Sequence, residues 1–194
     1  MTHRTVAKNG RQDYLEFLIK LSHAINTLNE RVGRATAWAA VVMVLIQFSV
    51  VILRYVFSIG FIPLQETIWY LHGILFMLGA GYTLFHDGHV RVDIVYREAS
   101  PITKAKIDFF GSLFFLIPVC ILAWTVSWSY VINSWAVLEG SVETSGLPTI
   151  YLLKSVILIF IILLALQAVS LAIKSYLILA GVEERAKELT HEYF

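Results

Sequence analysis

Four long apolar runs, each closed at its ends by polar or charged residues, limit what this chain can fold into more than any other feature. They cover residues 35–53, 68–85, 109–132 and 155–173. About 20 mostly apolar residues in a helix cross the hydrocarbon core of a bilayer. Inside that core every backbone N–H and C=O needs an internal partner, which leaves only helices or a closed barrel. These runs are longer and more uniformly apolar than the alternating strands of about 10 residues that build barrels. The pattern predicts an all-α integral membrane protein with four transmembrane helices. Composition agrees: 58% of the 194 residues are hydrophobic and 15% charged, against about 45–50% and about 25% in soluble domains. A formal charge of +1 supplies no footprint for nucleic acid. Cys120 is the single cysteine, which excludes an intrachain disulfide and a multi-cysteine metal site.

Lys and Arg counts in the flanks orient the spans. Residues 1–34 hold six, Arg4, Lys8, Arg11, Lys20, Arg31 and Arg34. The segment 86–108 holds four, and the stretch from Lys174 onward holds three. On the other side, residues 54–67 hold only Arg54, and residues 133–153 hold none, with Lys154 at a helix end. Both termini are expected in the cytoplasm, and an even number of spans agrees with both lying on one side. The first apolar run begins too late, and lacks the small-residue pattern, for a cleaved signal. The expected organisation is a cytoplasmic N-terminal segment 1–34, a transmembrane domain 35–174 and a cytoplasmic tail 175–194.

Within residues 1–34, Tyr14, Leu18, Leu21, Ile25, Leu28 and Val32 recur at helical spacing, and Glu16, Lys20, His23, Thr27, Glu30 and Arg34 repeat it two residues later. The pattern predicts an amphipathic helix that lies in the cytoplasmic interface on the lipid bilayer. Docking on a partner helix is the alternative. A coiled coil is disfavoured, because fewer than three heptads are present.

Ionisable residues inside spans mark functional sites by default, and none of the four runs contains an Asp, Glu, Lys or Arg. The chain thus lacks the midplane acid or base that ion-coupled carriers use. Arg54 and Lys154 lie near external ends, where long side chains reach water. Arg54 can pair with Glu66, which opens the second span, or the two can act as separate interface anchors. Gln47 lies seven residues before Arg54, on the same helix face. That face can meet protein instead of lipid, or Gln47 can bond within the bundle. His72, Phe76, Gly79, Thr83 and His86 share one face of the second span. Gly73, Ala80 and Gly81 add small residues that permit close helix approach. His72 could ligate haem, but the first, third and fourth spans hold no second histidine, so it reads as a hydrogen-bonded packing residue. No cofactor is expected.

The segment His86-Asp87-Gly88-His89-Val90-Arg91-Val92-Asp93 reads as an ordered turn held by charged hydrogen bonds, which fixes the second helix against a neighbour. Metal binding by His86, His89 and Asp93 follows no known ligand spacing. Ser100-Pro101 is an N-cap with proline at N1, so a helix starts there and runs into the third span. Pro118 can kink that span. Glu139 and Glu143 lie in a Gly- and Pro-containing turn, as solvated acids or as contacts for an external partner. Trp124, Trp128, Tyr130, Trp135 and Tyr151 form an aromatic belt on this side.

Taken in order, several of these residues resemble the small membrane (Q) subunit of tripartite ATP-independent periplasmic (TRAP) transporters. The resemblance covers residues 30–175. It rests on Arg54-Tyr55-Val56-Phe57, Glu66, Leu78-Gly79-Ala80, Gly88-His89-Val90-Arg91-Val92-Asp93 and Glu143-Thr144-Ser145-Gly146-Leu147-Pro148. It implies a small scaffold subunit in the bacterial inner membrane, beside a large multispan membrane subunit that carries the substrate and sodium sites and moves as an elevator. It also implies a periplasmic substrate-binding protein that delivers an organic anion, with an ion gradient as the driving force. The turn 144–148 and Leu152-Leu153-Lys154 look closest to small subunits grouped with monocarboxylate and 2-oxo-acid transporters. On this view Arg54, Glu66, Gln47, His72, His89, Arg91, Asp93, Glu143 and Lys154 are structural or interface residues, and none binds substrate. A membrane anchor of a redox complex and a self-contained exporter are the alternatives. The first lacks an opposing histidine and the second a membrane-embedded acid. No nucleophile–base set or phosphate loop points to an enzyme.

Overall fold

The computed structural model of the protein describes residues 2–90 and 96–182, with side chains from residue 12 onward. The described residues are helical, with short turns between the helices. Helix α1 is Thr2–Tyr55 and α2 is Ile62–Phe85. Helix α3, Pro101–Gly111, passes through a π-helical turn, Ser112–Leu116, into α4, Ile117–Ala136. Helix α5 is Ile150–Leu179. Four helical stretches are long and apolar enough to cross a membrane: Gln12–Tyr55, Ile62–Phe85, Pro101–Ala136 and Ile150–Leu179.

The sequence explains the ends. Ser100 caps α3, its Oγ accepting from the Thr103 amide at 3.3 Å, and Pro101 follows at N1 as expected. Pro118 carries no N–H, so the turn before it cannot close in the ordinary register. The chain answers with a wider turn, in which the Ile117 amide donates to the Ser112 carbonyl. Helix α2 ends on a Schellman arrangement: the Gly88 amide donates to the Thr83 carbonyl at 2.8 Å and Asp87 takes φ 58°. Asp tolerates that left-handed conformation better than most side chains. Residues 86–88 of the expected turn thus form a helix cap with backbone bonds, and residues 91–93 of it lie outside the described residues.

The amphipathic segment is not a separate helix. It continues into the first span without a break, because nothing between residues 12 and 55 stops a helix; Gly33 alone costs little. Its neighbours are α2 and α5. Leu15 packs with Ile173 and Leu177, and the Tyr82 ring lies over Gly33. Helices α1 and α5 therefore run antiparallel, with residues 15–29 of α1 beside residues 163–177 of α5. Gly81 and Gly73 of α2 meet α5 at Leu163 and Leu153, the close approach that the small residues promised.

Candidate functional site

Polar side chains gather at the two ends of the bundle. At the end formed by residues 55–62 and 136–150, Glu66 is buried at the start of α2. Its Oε1 accepts from the Ser141 hydroxyl and its Oε2 from the Leu147 amide, the latter at 2.6 Å. One carboxylate thus closes the turn between α4 and α5. Gly146 makes this possible, since a Cβ there would overlap Ser141 and crowd the Glu66 carboxylate. Arg54 is exposed and does not pair with Glu66. Of the two readings of that pair, the structure has separate residues.

Lys154 is not simply extended to water. Its Nζ donates to Glu139 Oε2 at 2.5 Å and sits 4.0 Å from the centre of the Tyr130 ring. The ammonium beside Glu139 holds that carboxyl below the usual carboxylate range. Trp135 Nε1 donates to Ser155 Oγ at 2.7 Å, and its ring meets Tyr151 edge-on. Two members of the aromatic belt therefore join α4 to α5. The Glu143 side chain is exposed, while its backbone carbonyl accepts from the Gly146 amide.

At the opposite end, Glu30 of α1 is buried between Arg34 and His86. Its Oε1 accepts from Arg34 Nε and its Oε2 lies against His86 Nε2, both at 2.6 Å. His86 thus ties the end of α2 to α1. His89 is exposed. Arg91 and Asp93 lie outside the described residues.

Beyond this triad runs a polar seam that the spacing argument missed. Ser22 and Ser170 share a hydrogen bond at 2.6 Å, Ser170 Oγ donates to Asn26 Oδ1 at 2.7 Å, and Gln167 Nε2 donates to the same Oδ1 at 3.1 Å. Asn29 Nδ2 donates to Gln167 Oε1 at 2.9 Å. All five side chains are buried. The α1 face turned inward is consequently more polar than the stripe read from the sequence. Ile25 is buried, while Tyr14 (54% exposed), Leu21 and Leu28 remain outside, joined by Phe17 (61%). The available signal was Ser22, Asn26 and Asn29 at spacings of four and three, facing Gln167 and Ser170 at three. It can be recognised only once the two helices are known to be antiparallel neighbours.

Gln47 and His72 lie between the two ends, and both are exposed. The His72 ring stacks with that of Phe76 on its own helix, 6.4 Å between ring centres. Neither has a hydrogen-bond partner among the described residues. The expectation of a hydrogen-bonded packing histidine is not met, because α2 turns Gly73 and Gly81 toward its neighbours and His72 away from them. Among the described residues no group of three or more His, Cys, Asp or Glu is placed to hold a metal.

Long apolar helices joined by polar ties at their ends define a multi-pass helical membrane protein. Residues 43–176 match the family model described as "Tripartite ATP-independent periplasmic transporters, DctQ component". That is more than half of the chain, and the protein belongs to this family of small membrane components of TRAP transporters. No curated protein and no solved structure showed significant similarity to the chain.

Proposed function

We propose that the chain is a non-catalytic scaffold subunit, fixed beside a large elevator subunit that imports an organic anion delivered by a periplasmic binding protein. The driving force is an ion gradient, with sodium the favoured ion. The observation that carries this reading is where the charges go. No Asp, Glu, Lys or Arg lies within the four apolar runs. Glu66, Glu30 and Lys154 at their edges are each engaged by neighbours within the chain. Such a bundle offers a rigid wall against which another body can move, and no embedded charge with which to bind an ion itself. The Lys and Arg asymmetry supports placing the α1 N-terminus and the polar seam on the cytoplasmic side of the inner membrane.

Reconstitution tests the reading. Proteoliposomes holding this chain together with its large membrane partner should take up substrate when the binding protein and a sodium gradient are supplied. Those holding this chain alone should be inert. Robust uptake by the chain alone would overturn the scaffold role, and co-purification with a soluble redox subunit would replace it with the anchor role.

A further inference from the structure

We propose that the outer flank of the α1–α2 hairpin is the surface on which the large membrane partner docks, through a transmembrane helix that supplies hydrogen-bonding groups to Gln47 and His72. The proposal rests on the scaffold reading above and adds to it which face of this chain is covered.

Depth is the first consideration. Gln47 lies seven residues inside Arg54, and His72 six residues inside Glu66. At 1.5 Å per residue each is roughly 10 Å along its helix from the same end of the bundle. The pairing of Gly33 with Tyr82 and of Glu30 with His86 fixes α1 and α2 as antiparallel neighbours. Continued along both helices, that register brings Gln47 level with Trp69, one turn from His72.

Direction is the second. Ala40, Gln47 and Arg54 repeat every seven residues on α1; His72, Gly79 and His86 do so on α2. Helix α5 occupies another side of α2, through Gly73 and Gly81. Continued by sevens, the first line includes Gly33 beneath Tyr82 of α2, and the second ends on His86 against Glu30 of α1, so both run along the α1–α2 seam. Around them Val44, Phe48, Trp69 and Phe76 are all more than 60% exposed. Gly79 has open space where a Cβ would stand, a slot that lets another helix come close.

Chemistry decides the occupant. A serine or threonine in a span can satisfy its hydroxyl on its own helix, as Thr125 does on the Leu122 carbonyl and Ser49 on the Leu45 carbonyl. A glutamine amide and an imidazole have more polar atoms than one carbonyl can satisfy, and against lipid tails those atoms lose water and gain no partner. The outer face of residues 114–126, in the π-helical turn and α4, is different: Phe114, Phe115, Val119, Ile121, Leu122 and Val126 are exposed there and suit lipid. The asymmetry marks the hairpin flank as protein-covered and the α4 face as lipid-facing.

The test is site-directed photocrosslinking in membranes of cells that express the complete transporter. A photoreactive amino acid is placed singly at positions 47, 72 and 76 on the proposed face, and at 115 in the π-helical turn and 122 on α4. Products are identified by mass spectrometry, and a tag on this chain reports independently which proteins co-purify. The expected result is a product with a large multispan protein from 47, 72 and 76, several-fold stronger than from 115 and 122. Co-purification of that partner with crosslinks mainly from 115 and 122 overturns the face and leaves the scaffold reading standing. A second copy of this chain as the dominant product at 47 and 72 overturns the occupant. Absence of any large membrane protein from both crosslinks and co-purification overturns the scaffold reading itself.

Discussion

At Gly81 one missing carbon allows three helices to meet. A Cβ there would overlap Asn29 Oδ1 from α1 and stand 3.4 Å from the Leu163 carbonyl of α5. Asn29 is wholly buried, and its Oδ1 has no hydrogen-bond partner among the described residues, resting instead against Gly81. Gly81→Ala should therefore destabilise the bundle by about 1–3 kcal/mol, the usual cost of overpacking. Trimming Asn29 in the same chain should recover part of that loss. Thermal melts of the two single variants and the double variant in detergent give the coupling. Strictly additive losses would show that the two residues do not compete for one space. Glu66 allows a second residue-level forecast. Glu66→Gln keeps the size but removes the charge that two donors point at, and hydrogen bonds to charged groups contribute about 1.5–3 kcal/mol. The Leu147 amide should then exchange with deuterium faster than in the parent chain. Unchanged exchange would mean that the 141–147 turn holds itself.

At the scale of elements, the α4–α5 pair carries a charged clasp whose pH response has a definite sign. Lys154 holds the Glu139 carboxyl below the usual carboxylate range. A depressed carboxyl contributes stability that is full above its unfolded value and is lost as pH falls through the folded one. The melting temperatures of the parent and of Glu139→Gln should thus differ at neutral pH and converge in acid below the carboxylate range. A gap that persisted there would assign the effect to packing instead of charge. The same elements show what could be read beforehand. The four spans were legible because an apolar run of bilayer length has few other solutions, and Ser100-Pro101 because a cap is a local device. Both the Glu66 contact with residues 141 and 147 and the Asn26–Gln167–Ser170 seam were out of reach. Their partners lie 75 to 144 residues apart, and spacing along one helix says nothing about which face another helix will choose. The stripe on α1 was read as an apolar face laid on the bilayer; Tyr14, Leu21 and Leu28 of it are exposed and Ile25 is buried, and its spacing carried no sign of the polar face that meets α5.

For the whole molecule, length is the telling quantity. Helix α1 has 54 residues and α5 has 30, about 81 Å and 45 Å at 1.5 Å per residue, against a hydrocarbon core about 30 Å thick. The excess of both lies at the end that carries the polar seam. Either the bundle projects there into water, or it tilts so that the α1 extension runs shallowly along the interface. The exposed side chains of the α1 extension favour tilt. Ser22, Asn26 and Asn29 turn inward while Tyr14, Phe17, Leu21 and Leu28 turn outward, which suits an apolar medium better than a watery one. Spin labels placed at 17 and 21 in the reconstituted chain should be relaxed by oxygen, which concentrates in lipid. A label at Lys20 should respond to a water-soluble nickel complex. If nickel reached all three positions equally, the extension would stand in water and the tilted arrangement would be wrong. If neither reagent reached 17 and 21 once the large partner was added, the stripe would be a second protein contact, and the interfacial role would belong to the partner-free chain alone.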